Sequence, residues 1–385
     1  MFRRWKSPTA SGSTVQTLAT SLENLGAGSL VASGDHEAMH AVSADLELHA
    51  SPGLGKWLID ERISLAFTTY QAGKLFLVGT HDDSRLSVFE RTFNRCMGLW
   101  SDGQTLWMSS LYQLWRFENA AQPGQDADGY DRVYLPQVGF VTGDLDIHDV
   151  VVEDQGRVVF ANTLFSCLAT TSETHSFSPL WRPPFISEEL PEDRCHLNGV
   201  ALRDGRVRYI SCISRTDVIE GWREQRRTGG CVLDVSSETP IVEGLSMPHS
   251  PRFRDDHLWL LESGSGYLGH VDPSGGEFER VAFCPGYLRG MAFQGRFAVV
   301  GLSKPRENRT FSGLDLDRNL KEHSADPRCG LAIIDLEERR IAHWLWIEGI
   351  VRELYDVVVL PGVRRPRVVG FKTDEIELTL HLDRS

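Results

Sequence analysis

From Ile63 onward, short runs in which apolar and polar residues alternate are broken by Gly, Asp or Asn and then resume. A period of two puts successive side chains on opposite faces of a strand, and a Gly- or Asp-bearing break between two such runs marks a hairpin. One unit reads Met97-Gly-Leu-Trp-Ser-Asp-Gly-Gln-Thr-Leu-Trp-Met-Ser-Ser, and further copies start at His148, Asn198, His249, Arg289 and Tyr355. The last leads into Pro366-Arg-Val-Val-Gly-Phe, and a looser copy, Ile63-Ser-Leu-Ala-Phe-Thr-Thr-Tyr with Lys74-Leu-Phe-Leu-Val-Gly, opens the series. A third strand is expected behind most hairpins, as in Gln113-Leu-Trp-Arg-Phe, Cys231-Val-Leu-Asp-Val and Leu331-Ala-Ile-Ile-Asp-Leu.

Three or four strands every 40 to 66 residues is the spacing of propeller blades. The pattern therefore predicts an all-β fold, a single β-propeller over residues 41–385, with seven blades from the seven copies and six as the alternative count. Asp45-Leu-Glu-Leu-His is expected to supply the outer strand of the last blade. Residues 1–40, rich in Ser, Gly, Ala and Thr, read as a flexible N-terminal tail.

Composition narrows the class. With 41% hydrophobic and 24% charged residues in 385, the chain has the apolar content of a globular domain with its own core. A net charge of −13 argues against nucleic acid and anionic membranes, whose binders carry basic surfaces. Met1-Phe-Arg-Arg-Trp-Lys-Ser-Pro runs into Thr, Ser and Gly instead of an apolar signal core, and no run is apolar enough to span a bilayer. Seven scattered cysteines without a C-x-x-C pair fit free, buried thiols and a cytoplasmic location.

Several stretches resemble an uncharacterised family of conserved hypothetical proteins, carried as a domain of unknown function and sometimes joined to tetratricopeptide repeats. They include Phe67-Thr-Thr-Tyr-Gln-Ala-Gly-Lys-Leu, Phe93-Asn-Arg-Cys-Met-Gly-Leu, Cys195-His-Leu-Asn-Gly-Val-Ala, Met247-Pro-His-Ser-Pro-Arg and Gly301-Leu-Ser-Lys-Pro-Arg-Glu. That resemblance implies no particular reaction. More distantly the repeat is similar to the strictosidine-synthase and gluconolactonase propellers, which hold a divalent metal at the channel mouth; their Glu/Asn/Asn/Asp ligand set has no clear counterpart here.

Superposing the copies predicts a ring of side chains around one end of a central channel. Residues leading each inner strand are Met97, His148, Asn198, His249, Arg289 and Tyr355, with Asp149 and Asp356 next to two of them. Residues ending the following strand are Ser109, Asn162, Ser211, Glu262, Ser303 and Lys372. His148, His249, Arg289 and Tyr355 are the candidate catalytic groups, since imidazole exchanges protons near neutral pH. His148, His249, Asn198 and Glu262 are the candidate ligands of a divalent metal ion. Asn162, Asn198, Arg215, Lys304, Arg306 and Lys372 are candidate substrate contacts, the cations among them suited to a small anion. For each, the plainer alternative is a satisfied strand end or a solvated loop charge. His196 either joins the ring or is a loop histidine.

Other signals carry less. His36-Glu-Ala-Met-His40 has H-E-x-x-H spacing but no apolar helical flanks, and no P-loop or dinucleotide fingerprint follows a strand. Two long segments, 214–228 with Trp222 and 304–328, are candidate lids. Two functional classes remain open: an enzyme acting on a small anionic molecule by metal or acid–base chemistry, and a recognition disc for a protein or peptide.

Overall fold

The computed structural model describes residues 46–121, 129–305 and 312–382. The proposed tail, the His36 and His40 motif, and Arg306 lie outside the described residues. The strands form six sheets, the blades of a β-propeller. From the channel outward, blade I holds Leu354–Pro361, Ile63–Thr69, Lys74–Thr80 and Leu86–Thr92. Blade II holds Leu99–Ser101, Thr105–Ser109, Gln113–Asn119 and Arg132–Val141. Blade III holds Ile147–Val152, Val158–Asn162, Cys167–Thr170 and Ser178–Trp181, and blade IV holds Leu197–Arg203, Arg206–Cys212, Gly230–Asp234 and Thr239–Leu245. Blade V holds Pro248–Arg254, His257–Glu262, Tyr267–Val271 and Glu279–Phe283, and blade VI holds Tyr287–Gln294, Phe297–Ser303, Gly330–Asp335 and Arg340–Glu348.

Six blades replace the seven expected, because the first and last sequence copies are halves of one blade. Leu354–Pro361 pairs antiparallel with Ile63–Thr69, from Ile63 opposite Pro361 to Thr69 opposite Leu354. This joins the first and last copies of the repeat and closes the ring. The run after it forms no hairpin with it. Pro366–Val368 instead pairs in parallel with Arg132, Val133 and Tyr134 on the outer edge of blade II, where a proline costs no ladder bond. Glu47–Ala50 does add an outer strand, but to blade VI beside Arg340–Glu348. The predicted Asp-bearing hairpins form: Asp204-Gly205 and Asp255-Asp256 link paired strand ends, with φ of 52° and 68°, and 50° and 57°. Such two-residue turns need both central residues in the left-handed region. All seven cysteines are free and buried.

The inner strands touch one another all round the ring, and the residue after each leading position records how closely. In blades I, III and V it is Asp356, Asp149 and Ser250, and each accepts a backbone N–H from the next blade. Leu99 donates to Asp356 at 2.8 Å, Val200 to Asp149 at 3.0 Å and Gly290 to Ser250 at 3.0 Å. In blades II, IV and VI it is Gly98, Gly199 and Gly290, each against the following blade. A Cβ on Gly199 would meet Pro251 at 2.3 Å, and one on Gly290 would meet the Asp356 backbone at 2.6 Å. Acceptor and glycine thus alternate around the channel.

A bulge at His249/Arg252 interrupts the pairing of blade V's first two strands, next to Pro251, which has no N–H to give. A bulge re-aims the side chains beyond it, and Arg252 reaches across the channel. Its guanidinium bonds Asp149 of blade III at 2.8 and 3.2 Å and lies 3.9 Å from Asp356 of blade I. Burial and the neighbouring Asp149 push Asp356 up to about 7, with Arg252 pulling the other way. That is above the unfolded value of about 3.9, so the proton favours the fold. Its contribution is complete below about pH 3.9 and is lost as pH rises through about 7.

Arg252→Leu should therefore cost about 3 kcal/mol or more in urea unfolding at pH 8, as expected when one partner of a buried ion pair is removed. At pH 5, where Asp356 keeps its proton, the loss should be smaller. Equal losses at the two pH values would mean that the two carboxylates do not share that proton.

Candidate active site at the channel mouth

A ring of hydroxyls ties each blade to the next just below the mouth. Thr68 donates to Met97 O at 2.6 Å, Ser109 to Ile147 O at 2.9 Å and Thr163 to Leu197 O at 2.6 Å. Ser263 donates to Leu288 O at 2.6 Å and Ser303 to Leu354 O at 3.0 Å. Blade IV uses Asn198 instead, whose amide donates to Pro248 O at 3.0 Å while its oxygen accepts from Ser211 at 2.7 Å. These bonds pin the leading residues in place, and two of the hydroxyls also touch a histidine.

His148 Nδ1 lies 2.8 Å from Asp146 O and 2.7 Å from Thr163 Oγ1. A backbone carbonyl can only accept, so Nδ1 carries the proton and Nε2 presents a bare lone pair. His249 repeats the arrangement one blade pair on, with Nδ1 at 2.9 Å from Met247 O and 3.0 Å from Ser263 Oγ. Its buried Nε2 has no partner. Burial holds His148 down to about 3, against an opposing pull from Asp146, and burial with Arg289 holds His249 well below 6.5. Both imidazoles are neutral near pH 7.

Tyr355 completes the cluster. Its ring meets the His148 ring edge-on at 5.3 Å, and Arg289 lies over it at 4.6 Å from the centroid. Arg289 also lies 5.4 Å from the Tyr287 ring, which in turn meets His249 at 5.7 Å. Tyr355 Oη and Arg289 Nε are buried without hydrogen-bond partners. Burial drives the Tyr355 hydroxyl well above 10, so it keeps its proton as a donor. The four catalytic candidates from the sequence thus stand together.

His196 joins them, as one of the two sequence alternatives had it. Its ring packs on His148 at 4.7 Å and under Trp222 at 4.1 Å, and Nδ1 bonds Asp193 at 2.8 Å. Trp222 Nε1 donates to the same Asp193 oxygen at 2.8 Å, so one carboxylate orients a mouth histidine and clasps the short helix Trp222–Gln225. In the other candidate lid, Asp315–Glu322 is helical and places Leu316 and Leu320 in a cluster with Trp222, Met247 and Tyr287.

Other candidates fall elsewhere. Both ends of the Asn198 amide are used, the nitrogen on Pro248 of the next blade and the oxygen on Ser211 of its own. Glu262 sits opposite Pro248, hence on the other face from His249, where it accepts from Ser265 at 2.5 Å and Arg280 at 3.1 Å. The proposed metal quartet therefore does not converge. Among the described residues no three His, Cys, Asp or Glu side chains stand close enough to share a metal ion. Asn162 caps a turn by accepting from Phe165 N at 3.1 Å. Arg215 pairs with Glu243 at 2.7 Å and Lys304 with Glu348 at 2.6 Å. Lys372 ends no inner hairpin: it is exposed beside Phe371, which packs on Trp115 of blade II.

The tier above the leading residues escaped sequence reasoning apart from His196. Two positions before them stand Arg95, Asp146, His196, Met247, Tyr287 and Glu353, and the first four share a positive φ of 49° to 53°. A left-handed conformation repeated on non-glycine residues is uncommon. Its only sequence trace is the fixed offset from each copy.

Fold and site together define a six-bladed β-propeller with a buried polar cluster at one end of its channel. The chain belongs to the family described as "Domain of unknown function (DUF4915)", whose model matches residues 52–369. No curated protein sequence matches it. Similar solved structures include a nidogen/laminin complex (9% identity, TM-score 0.47, 78% of this chain and 99% of that one). A putative gluconolactonase gives 12%, 0.40, 68% and 90%. Virginiamycin B lyase from Staphylococcus aureus with quinupristin gives 11%, 0.37, 67% and 96%. No helix among the described residues is long and apolar enough to cross a membrane.

If Asp193 clasps the lid, Asp193→Ala should raise amide hydrogen exchange in residues 214–229 severalfold while the inner strands keep their protection. Unchanged exchange there would show that Trp222 is held by packing alone.

Proposed function

We propose that the channel mouth is the active site of an enzyme that acts on a small anionic molecule by acid–base chemistry. One observation carries this: Arg289 Nε, His249 Nε2 and Tyr355 Oη are all buried in one cluster without partners. A buried polar atom left unbonded costs about 1–3 kcal/mol, and three in one cluster on groups able to bind an anion and move a proton call for a ligand that supplies the missing bonds. Arg289 is the anchor for the anionic group. Burial opposes its charge, but a guanidinium keeps its proton far above neutral pH, and Glu353 favours the cation. The bare Nε2 of His249 is the base, with His148 Nε2 as the second candidate. The Tyr355 hydroxyl donates to whichever substrate oxygen gains charge. None of these steps requires a metal, and the described side chains do not form a ligand set for one.

A second reading, a recognition disc for a protein or peptide, draws on the lid, where Val218 and Ile219 are 65% and 61% exposed. Binding there would survive changes at Arg289, which separates the two.

A thermal-shift screen of small anions against the wild type and Arg289→Gln should find compounds that stabilise only the wild type. For any that is turned over, His249→Ala should lower kcat by about 100-fold or more, the usual contribution of a general base. Because His249 titrates far below its ordinary value, kcat/KM should stay level as pH falls through 6.5; a decline centred there would remove His249 from the role.

A further inference from the structure

Among the described residues, the cations around the mouth are unequal. Arg95 is spent on Asp144, with Asp146 3.7 Å away, and Lys304 and Arg215 are spent on Glu348 and Glu243. Arg289 forms no ion pair or hydrogen bond with any described residue; its neighbours are the Tyr355 and Tyr287 rings at 4.6 and 5.4 Å. A cation–π contact offsets only part of the cost of desolvating a guanidinium. The missing partner is an anion, and the surroundings limit its charge. Asp146 and Glu353 both act on Arg289 or its neighbours as negative charges, and the nearest imidazoles present lone pairs rather than N–H groups. A second negative charge would face acceptors on several sides.

Geometry limits its shape. With two tyrosine rings against the guanidinium and none of its N–H groups bonded to a described residue, its edges are left to bond. Each edge is a planar two-donor fork that holds two oxygens of one anion, and the charges of Asp146 and Glu353 favour the singly charged carboxylate over a phosphate. We infer that the molecule held at the mouth is a monocarboxylate whose remaining body is uncharged, set against Tyr355, Tyr287 and Trp222, and not a phosphate ester or a dicarboxylate. This rests on the reading of the mouth as an anion-binding active site.

The test is calorimetric and NMR titration of wild type, Arg289→Lys and Arg289→Gln with benzoate, phthalate, inorganic phosphate and phenyl phosphate, each variant first checked for unaltered thermal unfolding. Benzoate is expected to bind at one site per chain. Its affinity should fall at least tenfold in Arg289→Lys, which keeps the charge and loses the fork, and phthalate and both phosphates should bind more weakly than benzoate. Tighter binding of phenyl phosphate or phthalate that still depends on Arg289 would overturn the monocarboxylate and leave the anion site standing. If no anion shows dependence on Arg289, both fall.

Discussion

Everything at the mouth depends on how tightly six inner strands crowd one axis. Strands this close cannot all carry side chains beside their leading positions, and the chain resolves the conflict by alternation. Asp356, Asp149 and Ser250 each take a neighbour's N–H, while Gly98 and Gly290 admit a neighbour's backbone and Gly199 the ring of Pro251. A six-bladed ring built this way has an approximate threefold rhythm. An odd number of blades would set two acceptors or two glycines side by side, so the same alternation that binds the strands also favours an even count.

The rhythm has an electrostatic cost that the chain meets at its one irregular position. Two buried carboxylates facing a common axis repel, and the third acceptor is a serine rather than an aspartate. That same blade supplies Arg252, whose guanidinium bonds Asp149 and approaches Asp356. Two negative charges and one positive then share the axis, and the rise in the Asp356 pKa accounts for the remainder. Arg252 also crosses the channel beneath the mouth. Whatever binds beside His249 and Arg289 meets a charged bridge below it.

Much of this was legible in the chain. Period-two alternation and Asp-Gly breaks located the hairpins, and the leading residues of all six blades followed from superposing the copies. The blade count slipped because a sequence read from end to end cannot show that Leu354–Pro361 and Ile63–Thr69 are partners. Strand-end residues slipped by one in blades III and V, where Asn162 and Glu262 were expected and Thr163 and Glu262's neighbour Ser263 occupy the ring. In both blades the hydroxyl of the ring stands one residue beyond the last paired residue of the second strand, Asn162 or Glu262, whereas Ser109, Ser211 and Ser303 are in the paired strands of theirs. Arg252 was invisible because the bulge beside it breaks the alternation from His249. A hydroxyl near the end of the second strand in every blade, Thr68, Ser109, Thr163, Ser211, Ser263 and Ser303, was the signal that would have corrected the register.

Those hydroxyls also govern the two channel histidines. Each of five donates to a carbonyl of the next blade, which leaves its oxygen lone pairs free to accept within its own blade. In blades III and V that residue is a histidine, and the occupied hydroxyl can then only accept from Nδ1. The carbonyls of Asp146 and Met247 impose the same direction. A device for joining blades thus fixes the tautomer of both imidazoles and aims both bare Nε2 atoms at the mouth. A histidine at such a position is held neutral with its Nε2 left bare, and no additional residue is needed to orient it.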